Sequence, residues 1–176
     1  MDRRVEKTKK AIFNAFIELL KKKEFEKISI TEIADVADIN RVTIYKHFLD
    51  KYDLLDQCID YNLASFLENC NENAVYEVTH HAFEHLYQNR IAMRLLLKAA
   101  GSGTLHEKFA ESFMKRAFLH DFLKGNNELY TEIKTQFFVS AIAGVFEWWL
   151  TASDTYTVDE ACNTLFSVID EILLIH

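Results

Sequence analysis

Arg41, Val42, Thr43, Tyr45, Lys46, His47 and Lys51 crowd one short segment, with Thr31 a little upstream. Their types suit recognition of a polyanion rather than bond making. Arginine forks onto guanine or phosphate, threonine and tyrosine hydroxyls donate to phosphate, and valine can meet a thymine methyl. Other reactive types are scattered. His81 and His85 stand four apart beside His80, a spacing that puts two rings on one helical face. Glu84 precedes His85, which is not the H-E-x-x-H order, and spacing offers no third ligand, so these histidines read as solvated or pocket-lining. Cys58, Cys70 and Cys162 are an odd, widely spaced set without CxxC and read as reduced packing thiols. No Gly-rich phosphate loop and no G-x-S-x-G is present, and no motif implies a cofactor or a metal.

The elements that position the first cluster can be read from local chemistry. From Val5 to Lys23, Ile12, Phe13, Phe16, Ile17, Leu19 and Leu20 recur at helical spacing and make one apolar face. Ser29-Ile30-Thr31-Glu32 is an S-x-x-E capping box, which opens a short helix with Ile33, Ala34 and Ala37 inward. Asp38-Ile39-Asn40 makes a tight turn, and Asn40 is a good N-cap for a second helix over Arg41–Phe48. Asp50 caps a longer helix starting at Lys51, with Asp53 near its positive end. Two short helices joined by such a turn form a helix-turn-helix unit. Ile33, Ala34, Ile39 and Ile44 supply its small core, leaving Arg41, Val42, Thr43, Tyr45, Lys46 and His47 outward.

The cadence from Phe25 to Ala34, then Ala37 to Phe48 with its Thr43-Ile-Tyr-Lys-His-Phe, then Lys51-Tyr-Asp-Leu-Leu resembles the TetR family of bacterial transcriptional regulators. The resemblance covers about residues 8–60. It implies that Thr31, Thr43, Tyr45 and Lys51 bind DNA phosphates, and that Arg41, Val42, Lys46 and His47 face bases. Two positions depart from the family, which usually has glycine where this chain has Asp38 and Val42. Aspartate reaches the left-handed conformation at some cost, so the same turn is expected with slight strain. The bulk of Val42 should limit backbone approach to DNA and alter sequence preference.

Beyond this head, further helices are expected over about 51–71, 74–88, 89–100, 104–124, 127–152 and 157–174. The fold class is therefore all-α, about nine helices. A three-helix head (1–50) sits on a larger effector-binding and dimerisation body (51–176). The absence of Pro and the presence of only four Gly agree with that. The helix near 127–152 is apolar almost all round and must be buried on two sides. Ala141, Gly144 and Trp148 on it, with Leu165 and Ile169 on the last helix, are the expected homodimer interface, a four-helix contact that the family resemblance also implies. The resemblance further implies a small-molecule effector held among the body helices. With 14 Phe, 7 Tyr and 2 Trp available, Phe66, Phe83, Phe113 and Phe137 are candidate lining residues, although ordinary core is the commoner use.

Charge is divided unevenly. Residues 1–51 carry 12 Lys/Arg against 9 Asp/Glu, and the remainder 8 against 18. Such an asymmetry turns the head toward a polyanion. The first apolar stretch is interrupted by Asn14 and Glu18, and the longest by Ser140 and Glu147, so neither a signal peptide nor a membrane span is expected. Taken with the family resemblance, these features imply a cytoplasmic repressor, not an enzyme, expected to be released from a near-palindromic double-stranded DNA operator by its effector. The alternative is a helical interaction protein or co-regulator whose head no longer binds DNA because of Asp38 and Val42.

Overall fold

The computed structural model describes residues 3–67, 75–101, 103–104, 106–108, 111, 124–151 and 155–173. Among them the chain is helical, without strands. It divides into two compact units, Met1–Asn62 with Ile91–Gly101, and Leu63–Arg90 with Ser102–His176. The helix expected over 104–124 lies almost wholly outside the described residues.

In the first unit, α1 spans Arg3–Leu20 and buries Ile12, Phe13, Ala15, Phe16, Leu19 and Leu20. It ends before Lys21–Lys23, whose amides close a last turn onto the Ile17 and Leu19 carbonyls, with Lys21 N–H donating to the Ile17 carbonyl at 3.1 Å. A 3-10 turn at Phe25–Lys27, which periodicity does not announce, buries Phe25 against Phe16. Helix α2 then runs Ile30–Ala37. Its capping box closes as expected: Glu32 N–H donates to Ser29 Oγ at 3.3 Å, and Ser29 N–H donates to the Glu32 carboxylate at 3.0 Å.

At the turn, Asp38 is left-handed, with φ 54 and ψ 45. The Ile39 amide bonds back to the Ala34 carbonyl at 3.0 Å, which satisfies an acceptor that the helix end would otherwise leave open. Asn40 Oδ1 takes the Val42 amide at 2.9 Å and starts α3, Arg41–Tyr45. Regular helix stops sooner than the expected Phe48. The last residues form a turn in which the His47 and Phe48 amides share the Ile44 carbonyl, each at 2.9 Å. Asp50 Oδ1 accepts from the Tyr52 and Asp53 amides, and α4 follows over Lys51–Leu67. Ile33, Ala34, Ile44 and Phe48 are buried, with Phe13 ring-to-ring against Phe48 at 5.7 Å, whereas Ile39 is only half-buried. Helix α6, Arg90–Ala100, contributes buried Met93, Leu96 and Leu97.

The second unit contains α5 (Val75–Gln88), α7 (Glu128–Thr151) and α8 (Val158–Leu173). Phe83 on α5 lies against Phe146 on α7, centroids 3.9 Å apart, and against Trp149 at 5.1 Å. Helix α8 meets α5 through Tyr76 against Phe166 and through His80 Nε2 to Asp159 at 2.7 Å. It opens with a second capping box, Thr157 and Glu160 bonding reciprocally.

The left-handed turn is the strained point of the head, because a Cβ there crowds the following carbonyl. Asp38→Gly should leave the thermal midpoint of unfolding unchanged or raised. Asp38→Val, a β-branched replacement, should cost about 1–2 kcal/mol, measured by denaturant unfolding followed by circular dichroism.

Candidate nucleic-acid interface

Helix α3 has a buried side and an outward side. Ile44 is fully buried. Val42 and Lys46, two residues before and two after it, lie roughly 160° around the helix from it. Both are exposed, as are Arg41 and Tyr45, while Thr43 and His47 are half-buried at the margins. Thr31 is exposed at the start of α2. The sequence-expected cations and hydroxyls are thus gathered along the two short helices of one unit. Hydroxyls and guanidinium at the edges with an apolar residue at the centre make a surface able to grip phosphates and touch base edges.

Lys51 stands apart from that set. Its Nζ donates to the Phe25 carbonyl at 3.3 Å and the Glu26 carbonyl at 3.1 Å, with the Glu26 carboxylate also 3.3 Å away. It also rests 4.6 Å above the Phe25 ring. The ammonium therefore closes the carbonyl end of the 3-10 turn and ties it to α4. The family resemblance implies a phosphate contact for this lysine; in the structure its ammonium is engaged by carbonyls 26 and 25 residues earlier in the chain.

A second tie was missed altogether. Lys9 Nζ donates to Gln57 Oε1 at 2.7 Å, Gln57 Nε2 donates to Asp53 Oδ1 at 2.9 Å, and Asp53 Oδ2 accepts the Leu49 amide at 2.7 Å. This relay runs from α1 through α4 to the chain leaving α3. The Gln57 amide and the Leu49 N–H hold the Asp53 carboxyl below its usual range. The local signal was Asp53 at the helix start; nothing in the spacing pointed to Lys9 or Gln57. Glu32 is also held low, to about 2, by the Lys23 ammonium and then by the Ser29 amide and hydroxyl.

In the second unit the expected interface residues separate. Gly144 and Trp148 are exposed and Ala141 is half-buried, but Leu165 and Ile169 are buried within the chain, 5% and 4% exposed. Helix α8 turns the latter stripe inward, so the outer face belongs to its neighbours. Val145, Trp148, Tyr156, Ala161, Thr164 and Val168 line an open apolar groove of about 370 Å³, with Leu165 at its floor. Of the candidate effector-lining residues, Phe83 is packed in the core, whereas Phe137 is 47% exposed on the outer face of α7. The Phe66 side chain and Phe113 lie outside the described residues.

Of the remaining reactive groups named from the sequence, those among the described residues are packed or paired. Burial pushes the Cys58 thiol up to about 12 and the Cys162 thiol to about 11, leaving both far from the thiolate form at neutral pH. Cys70 lies outside the described residues. His80 meets Asp159, and His81 Nδ1 lies 3.7 Å from Glu84. No group of three metal-ligating side chains occurs among the described residues. Nor is any helix there long and apolar enough to cross a membrane.

A capped short helix, a left-handed turn and a second short helix with an outward cationic and hydroxyl face define a helix-turn-helix DNA-binding head. Residues 9–58 match the family described as bacterial regulatory proteins, tetR family, and residues 73–171 match a transcriptional regulator C-terminal region of the same family. The chain belongs to the TetR family of transcriptional regulators. It is 29% identical over 126 residues to an HTH-type transcriptional regulator of Staphylococcus aureus strain MRSA252, covering 67% of this chain and 68% of that one. Its fold resembles a TetR transcriptional regulator from Streptococcus agalactiae 2603V at TM-score 0.70 and 24% identity, over 96% of each chain. It also resembles DhaS, the dihydroxyacetone kinase operon activator, at TM-score 0.66 and 18% identity, over 94% of each chain.

The Glu32 network makes a pH prediction. A carboxyl whose folded pKa is depressed stabilises fully above its unfolded value, 4.5, and loses that contribution as pH falls toward about 2. Thermal melts between pH 5 and pH 2 should therefore show a falling midpoint in the parent chain. Glu32→Gln should start lower at pH 5 and fall less steeply; parallel curves would exclude the network as a source of acid lability.

Proposed function

We propose that this chain is a homodimeric repressor that seats two helix-turn-helix heads on a near-palindromic operator and is released by a small-molecule effector bound among its body helices. The observation that carries DNA reading is the outward face of α3: Arg41, Val42, Tyr45 and Lys46 exposed while Ile44 is buried. Thr31 and Thr43, with the Tyr45 hydroxyl, are the phosphate contacts of this reading. Arg41, Val42, Lys46 and His47 are its base-facing residues, and Lys51 acts by bracing the head.

Dimerisation is supported by the outer face of α7. Ile133, Phe137, Gly144 and Trp148 are exposed along one helix beside the apolar groove formed with α8. Such a stripe is costly to leave in water and flat enough, at Gly144, for a second helix to approach. Paired heads then match an operator with two-fold symmetry. Repression follows from occlusion, a seated dimer blocking the promoter it covers. The effector part rests on membership of the family, whose regulators generally respond to a small ligand.

Binding to duplex selected from a random pool should fall steeply with rising salt, because neutralised phosphates release counterions. Arg41→Ala should weaken the selected duplex by about 1–3 kcal/mol and relax its base preference. An unchanged preference removes Arg41 from the base-facing set. A reporter carrying the selected site should be repressed; activation would reverse the sign proposed here.

Gly144 provides an independent check on the dimer. A Cβ built there meets nothing within 4 Å inside the chain. Gly144→Leu should therefore fold as well as the parent yet shift the sedimenting species from dimer toward monomer. A dimer of undiminished stability would move the interface off α7.

A further inference from the structure

We infer that Val42 reads the C5-methyl group of a thymine, so that each operator half-site contains a thymine the protein recognises by that methyl alone. The inference rests on the DNA-reading function proposed above and names what one residue of that surface takes. Val42 is 57% exposed and sits on the side of α3 opposite buried Ile44. A helix laid in the major groove puts that side deepest. The Val42 amide is already held by Asn40 Oδ1 at 2.9 Å, which leaves the isopropyl group as the part of the residue turned outward.

The chemistry of the groove then limits what the isopropyl group can meet. The edges of guanine, adenine and cytosine present hydrogen-bonding groups there, and thymine adds the one methyl. Pressing an isopropyl group onto a polar edge strips water from donors and acceptors and gives them no partner, which is unfavourable. Against a methyl, the same approach buries apolar surface on both sides. The side chain is short and branched, with a stiff first torsion, so it reaches only a base directly beneath it. Arg41 and Lys46 are long enough to find phosphate or guanine from several positions; Val42 is not. Tyr45, also 57% exposed, lies one turn on and brings a hydroxyl, so it need not share the preference.

The test removes the methyl and nothing else. Full-length protein is used to select its site from random duplex DNA, and each thymine of that site is replaced singly by deoxyuridine. One thymine per half-site should lose about three- to tenfold in affinity on replacement. In Val42→Ala, which changes an exposed side chain and should keep the parent's melting temperature, that loss should shrink below about twofold. In Tyr45→Phe it should persist. Uniform tolerance of deoxyuridine, or an equal loss in Val42→Ala, overturns the inference and leaves DNA binding standing. Failure to retain any duplex at low salt overturns the proposed function and this inference with it.

Discussion

A helix of five residues cannot hold itself together in water, because nucleation costs more than its few hydrogen bonds return. Helix α3 is such a helix, and its shape is imposed from outside. Asn40 fixes its first turn, Ile44 and Phe48 anchor its inner side, and Asp53 captures the Leu49 amide just beyond its end. The outward face exists because all of these hold at once. Remove the anchorage and Arg41, Val42 and Tyr45 become side chains on a loop.

The anchorage spreads through the head by two polar ties. Lys9 is linked to Asp53 through Gln57, and Lys51 is clasped by the carbonyls of Phe25 and Glu26. Each joins segments far apart in sequence that apolar packing alone could let slide. Charge-assisted bonds of this kind add direction as well as energy. A surface that must match the spacing of bases profits from direction, since a small tilt of α3 moves its side chains off the groove edge.

The second unit solves a different problem. Helix α7 is apolar around most of its circumference, and the chain by itself covers only one side, with Phe138, Ile142, Phe146 and Trp149 inward. The opposite side keeps Ile133, Phe137 and Trp148 in solvent. The same helix thus serves as the core of the unit and as the proposed contact with a second copy.

What the sequence determined by itself is local. The Ser29–Glu32 box, the Asp38 turn and the Asn40 cap are formed by groups within a few residues of each other, so their chemistry can be read in order along the chain. The all-helical class is equally legible, from periodic apolar positions and the lack of proline. Tertiary structure alone decided which distant partner each side chain found. Lys51 carries the type and place of a phosphate ligand, yet backbone carbonyls more than twenty residues earlier hold it. Leu165 and Ile169 were expected at the dimer face and turned inward instead, and Phe137, expected in a cavity, turned outward. Helix α7 is apolar on several sides, so its composition sets no preferred face; α8 has one apolar stripe, and only the placement of the other helices decides whether that stripe meets its own chain or a second copy.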